Sequence, residues 1–308
     1  MWITCAKSTQ LNTGLRLTES YNTDELILLI LATFAPLSMP QSIIRLSTAI
    51  LLFFLASCSG YEKVLKSNDV NYKLTKANEY FDKREYQKAN SLYESMLPVM
   101  KGTKNFEPLY FRYAYTSYYL KDYLSASYHF KNFTDYFPAS KDAEEAEFMH
   151  AICLYKMSPK SSLEQTNSFK AMEAMQSYIN THPTSKRITE ANGYIDEMRK
   201  KLEVKEASAA KLYYNISQYK AAAIAYQSVL QTYPESPNSD YYQYMVIRSF
   251  YNYAKASVTE KQEERFANAA NAYLDLKENY PKSAYLGEGQ RFYTQANDNI
   301  KKLRNELK

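Results

Sequence analysis

One set of spacings returns along this chain and limits what it can fold into. Around residue 220 it places Tyr219, Ala222, Tyr226, Val229, Tyr233, Pro234 and Ser236. The same offsets hold Tyr123, Ala126, Phe130, Phe133, Phe137, Pro138 and Ser140, and again Phe266, Ala269, Tyr273, Leu276, Tyr280, Pro281 and Ser283. A weaker copy has Ala171, Met175, Tyr178, His182, Pro183 and Ser185; a first copy has Tyr86, Ala89, Tyr93 and Met96 without the closing Pro. Steps of three and four put such residues on one helix face. The small Ala lets a neighbouring helix come close, and the aromatic one turn later fills the space beside it. The aromatic–Pro pair then stops the helix, since Pro cannot continue it and restricts the residue before it.

A second helix precedes each clear copy. Ala77, Ala114 and Ala210 each stand twelve residues ahead of Ala89, Ala126 and Ala222. Lys83-Arg84, Lys121-Asp122 and Ser217-Gln218 fill the short turns between. These offsets are the tetratricopeptide pattern. They predict an all-α solenoid of about five helix–turn–helix units over 71–285, closed by a capping helix over 286–308 with Arg291, Lys301, Lys302 and Arg304 on its outer face. Two stretches depart from the compact pattern: the turn around Ser158-Pro159-Lys160-Ser161-Ser162 and the segment Ala254–Phe266.

The N-terminus reads as a separate matter. Met39 is followed by Arg45, an apolar run from Leu46 to Phe54, and Leu55-Ala56-Ser57-Cys58. That is a compact secretory signal over 39–57. Its end resembles the bacterial lipobox, in which a lipid is attached to the Cys thiol and the chain is cut before it. This implies cleavage between Ser57 and Cys58 and acyl chains on Cys58. Several such chains anchor stably, at about 0.8 kcal/mol per buried CH₂. Residues 1–38 then either precede the true start or form an extended leader. A polar tether, 58–70, would join the lipid to the repeats.

Composition excludes some functions. A net charge of +5 with interspersed signs gives no basic stripe for nucleic acid. Once Cys5 and Cys58 are set aside, Cys153 has no partner for an internal disulfide. No Gly-rich phosphate loop, nucleophile elbow or paired-Cys motif occurs. His182 fills the aromatic slot before Pro183, and His129 and His150 lie on different units. The expectation is a protein without catalysis, metal or cofactor beyond the covalent lipid.

What remains is binding. First helices of stacked units line a groove. Counting from each first-helix Ala, the groove positions are Leu74, Asn78, Phe81 and Asp82 in the first unit and Phe111, Tyr115, Tyr118 and Tyr119 in the second. In the fourth they are Ala207, Lys211, Tyr214 and Asn215. The second-unit set is strongly aromatic, and Tyr offers large area with a polar tip at low entropic cost. The residues leave open whether these rings face the groove or pack against the next unit.

A lipobox, a short tether, five such units and a cap together resemble the BamD family of outer-membrane assembly lipoproteins. The endings Phe137-Pro138-Ala139-Ser140, Tyr233-Pro234-Glu235-Ser236 and Tyr280-Pro281-Lys282-Ser283 are similar to that family's aromatic-Pro-x-Ser/Thr endings. The resemblance implies a lipid-anchored protein on the periplasmic face of the outer membrane. It implies a BamA-like barrel insertase held through the C-terminal half, other assembly-complex subunits, and unfolded outer-membrane proteins received by the aromatic groove. Two other readings share the repeats: a periplasmic adaptor for other cell-envelope factors, and a SusD-type nutrient-binding lipoprotein, whose longer loop insertions are missing here.

Overall fold

The computed structural model describes the backbone of residues 59–306 and side chains from residue 60 onward. The signal peptide, Ser57 and Cys58 lie outside the described residues. Two compact units part between Lys66 and Ser67. The first contributes α1 (Ser59–Leu65), a short helix within the stretch expected as a tether. No described helix is long and apolar enough to cross a membrane.

The second unit is all helix among the described residues. Its helices pair as α2 (Val70–Asp82) with α3 (Tyr86–Met100), α4 (Phe106–Tyr119) with α5 (Tyr123–Tyr136), α6 (Ala143–Lys156) with α7 (Thr166–Thr181), α8 (Ile188–Asn215) with α9 (Tyr219–Thr232), and α10 (Ser239–Lys255) with α11 (Thr259–Asn279). The last helix, α12 (Leu286–Glu306), packs on α11 and also on α10. Each helix lies against the next in sequence, as a tetratricopeptide-like solenoid requires.

The repeated positions form the core. Ala77, Ala89, Ala114, Ala126, Ala171, Ala210, Ala222 and Ala269 are wholly buried, and so are Tyr93, Phe130, Phe133 and Met175. The turn inside a unit is made the same way three times. Arg84, Lys121 and Ser217 adopt left-handed backbone, with φ near +62°. The following N–H then reaches back five residues: Glu85 to Tyr80, Asp122 to Ser117, Gln218 to Tyr213. This is the Schellman ending, here built without Gly. Four further turns join the later units. At Phe137, His182, Tyr233 and Tyr280 the helix stops before Pro, and the Ser three residues on donates its N–H to that residue's carbonyl at 3.0–3.1 Å.

The two irregular stretches resolve as structure. The loop after α6 is held by Gln165, which is buried and donates to the carbonyls of Lys160 and Leu163. The excess near 254–266 is absorbed by helix, since α11 starts at Thr259, well ahead of Phe266. The excess between the third and fourth units likewise becomes the 28-residue α8. The capping helix buries Gly289, Ala296 and Leu303 and leaves its basic residues outside.

Candidate functional site

Side-chain bridges join the first helices of successive units into one face. Arg112 Nη1 on α4 lies 3.0 Å from Asp82 Oδ1 on α2, with its guanidinium over the Phe81 ring at 5.1 Å. Tyr115 on α4 donates to Glu145 Oε1 on α6 at 2.6 Å. Glu145 pairs with Arg187 at 2.6 Å, just before α8. Tyr155 on α6 donates to Glu197 on α8. Asp82 with Arg112, and Tyr115 with Glu145, are each thirty residues apart, close to one repeat. Sequence reasoning named Asp82 and Tyr115 but missed Arg112, Glu145 and Arg187. Complementary groups one repeat apart were the signal.

The aromatics named on α2 and α4 form one connected cluster. Tyr119 stacks on Tyr86 at 4.4 Å and meets Phe81 edge-on at 6.1 Å. Tyr115 lies 5.8 Å from Tyr119 and 5.0 Å from Phe130. Phe111 packs on Tyr115, Phe130 and Phe133. Tyr118 turns towards Tyr123 at 5.7 Å. Leu74 is half-buried one helix away, and Asn78 accepts from the buried Tyr93 hydroxyl at 2.8 Å.

Burial grades the set. Phe111, Tyr115 and Tyr118 are half-buried, while Tyr119 is 44% exposed. Phe111 and Tyr115 therefore spend one ring face on packing, and Tyr119 presents most to solvent. Burial first, and the Glu145 carboxylate second, push the Tyr115 hydroxyl far above its ordinary range. Tyr118 and Tyr119 are raised too, chiefly by burial. All three hydroxyls keep their protons at neutral pH, and that of Tyr115 donates to Glu145. The face is thus an amphipathic aromatic surface flanked by two ion pairs.

The remaining titratable candidates sit elsewhere. His150 Nδ1 is 2.9 Å from the Ser127 carbonyl, and burial lowers its pKa. It lines a cleft of about 420 Å³ between α5, α6 and α7. His182 Nε2 is 2.8 Å from Glu147. His129 packs against Tyr110 and Tyr113. Cys153 is buried, its thiol pushed up to about 12 by that burial. No group of described residues is arranged to hold a metal ion.

Comparison with known proteins places this architecture. The model of a family described as outer membrane lipoprotein, YfiO, matches residues 67–237, more than half of the chain. The chain belongs to the YfiO outer-membrane lipoprotein family. A protein of Aquifex aeolicus (strain VF5), whose name assigns it as outer membrane protein assembly factor BamD, is 25% identical over 236 residues, 75% of this chain and 77% of that protein. Among solved structures, the TPR2AB domain of yeast Sti1 in complex with an Hsp90 peptide overlaps 74% of this chain and 98% of its own, at 14% identity and TM-score 0.36. The P58(IPK) TPR domain overlaps 78% of this chain and 68% of its own, at 14% identity and TM-score 0.37. Those superpositions are loose, and the solenoid assignment rests on the offsets and packing above.

Proposed function

We propose that this chain is a lipoprotein anchored through Cys58 to the periplasmic face of the outer membrane. There it acts, without catalysis, as scaffold and substrate-recognition subunit in the assembly and insertion of β-barrel outer-membrane proteins. Its partners are a BamA-like insertase, other assembly subunits and unfolded barrel proteins. Membership of an outer-membrane lipoprotein family and the BamD-named relative support this reading. The observation that carries it is the aromatic face of α2 and α4, with Tyr119 half in solvent beside Phe81 and Tyr86. Amphipathic rings of this kind grip extended, aromatic-rich segments.

Purification from detergent-solubilised membranes tests the role. Recovery of a barrel insertase with the chain supports assembly; recovery of other envelope proteins alone favours the adaptor reading. Cys58→Ala should leave the chain unprocessed or shed it from the membrane fraction. Tyr119→Ala should weaken binding of barrel-derived peptides with little change in melting, because that ring packs least.

A further inference from the structure

The turns inside the units share one edge of the solenoid, because consecutive helices alternate in direction, and the aromatic-Pro turns occupy the other. The two edges expose different side chains. On the first, Leu124, Leu163, Leu212, Ile216 and Val258 are between 55 and 72% exposed and come from four successive units. On the second, the exposed large apolar side chains among the described residues are Tyr72, Val99 and Tyr136, all in the first two units.

The fold itself uncovers part of the first edge. Lys201 Nζ donates to Ser158 Oγ at 2.7 Å and Lys205 Nζ to the Leu163 carbonyl at 2.5 Å, so the loop of the third unit meets α8 at that level. From there α8 runs on to Asn215. Leu212 and Ile216 follow on the same side of the helix as Lys205, past the unit that would otherwise cover them. Cations flank the apolar side chains. Lys83, Arg84, Lys121, Lys160, Lys220 and Lys261 are exposed on this edge and make no ion pair among the described residues. Its acids are mostly taken up: Asp82 by Arg112, Glu85 by Lys88, Asp122 by the start of α5 and Glu164 by Thr166, leaving Glu260 exposed.

We propose that this edge rests on the bilayer, with its apolar side chains in the acyl boundary and its lysines among anionic phospholipid headgroups. Exposed apolar side chains with cations beside them are the pattern of interfacial binding, and lysine stems let the charge stay in water. Side chains projecting from separate turns along four units suit a flat surface, whereas a peptide is held by a continuous cleft. Between Cys58 and Val70 the chain can span about 25–30 Å with α1 folded, and α2 is about 20 Å long, so an anchored solenoid can bring this edge to the membrane. The inference takes from the proposed function only that the protein is held at a membrane.

The test uses the protein purified from membranes and reconstituted into vesicles of phosphatidylethanolamine and phosphatidylglycerol. Trp2 precedes Cys58, so the processed chain has no Trp of its own and a single one can be introduced as a probe. Lipids with brominated acyl chains should quench the Ile216→Trp and Val258→Trp proteins and leave Val99→Trp, on the other edge, unquenched. Adding Lys160→Glu and Lys220→Glu to the Ile216→Trp protein should abolish its quenching. All the altered positions are exposed, and an unchanged melting temperature confirms that each variant folds. No quenching on the first edge, equal quenching at Val99→Trp, or quenching that survives the charge reversal overturns the proposal. A blue-shifted Ile216→Trp emission that brominated lipid does not quench also overturns it, since a second copy or another protein then covers the edge. Mass spectrometry of Cys58 reports the anchor separately: an unacylated chain defeats that reading, while quenching by added vesicles still decides this one.

Discussion

Ser236 is the most informative single residue to change. Its Oγ donates to Glu203 Oε1 at 2.5 Å and accepts the backbone N–H of Asn238 at 3.0 Å. Glu203 is 5% exposed, with no cation within ion-pair distance among the described residues. Its charge is carried by three neutral donors: Ser236, Tyr242 Oη at 2.7 Å and Asn238 Nδ2 at 3.4 Å. Ser236→Ala removes one of the three and the cap on the following turn. A hydrogen bond to a charged group contributes about 1.5–3 kcal/mol and a neutral one about 1, and the two share one hydroxyl and are not additive, so the loss should be about 2–3 kcal/mol. For a folded body of this size each kcal/mol moves Tm by about 2–4 °C, giving a drop of about 4–12 °C by calorimetry. A double-mutant cycle with Glu203→Gln should return a coupling of about 1 kcal/mol or more. A Tm within about 1 °C of the parent, or additive losses in the cycle, would refute the argument that this Ser ties the turn closing a unit to that unit's first helix.

Three further outcomes follow from the same structure. The Glu144 carboxyl is held below its ordinary value, first by the Ser185 hydroxyl and then by Tyr178. A depressed carboxyl stabilises above its unfolded value, near 4.5, and that contribution is lost as pH falls through the lower folded value, so the stability gap between parent and Ser185→Ala should narrow below that pH in denaturant titrations. Gly289→Ala should destabilise by about 1 kcal/mol, because a Cβ there would sit 2.9 Å from Tyr273 Cδ2, whereas Gly193→Ala, with nothing within 4 Å, should gain about 0.5–1 kcal/mol of helix propensity in chemical denaturation. Ser217→Gly should raise the unfolding midpoint by relieving its left-handed backbone at φ 62°, worth up to about 1 kcal/mol; a lower midpoint would count against strain at that turn.

The helices and their buried faces were legible in the sequence, because burial repeats with the helical period. Ala114, Ala126, Phe130 and Phe133 could be placed before any coordinates, since a first-helix Ala and a second-helix aromatic must face each other in every unit. The aromatic-Pro-x-Ser endings were legible as stops. Their Ser was not legible as a tie. Only the fold shows Ser140, Ser185, Ser236 and Ser283 donating to Glu107, Glu144, Glu203 and Asp240 of the first helix in the same unit. Those separations are 33, 41, 33 and 43 residues, because loop and helix insertions vary the distance along the chain while the contact in space stays fixed. The candidate face divides the same way. Register alone put Phe111, Tyr115, Tyr118 and Tyr119 on one helix. How much of each ring reaches water depends on Phe130, Glu145 and Tyr86, which arrive from three other helices.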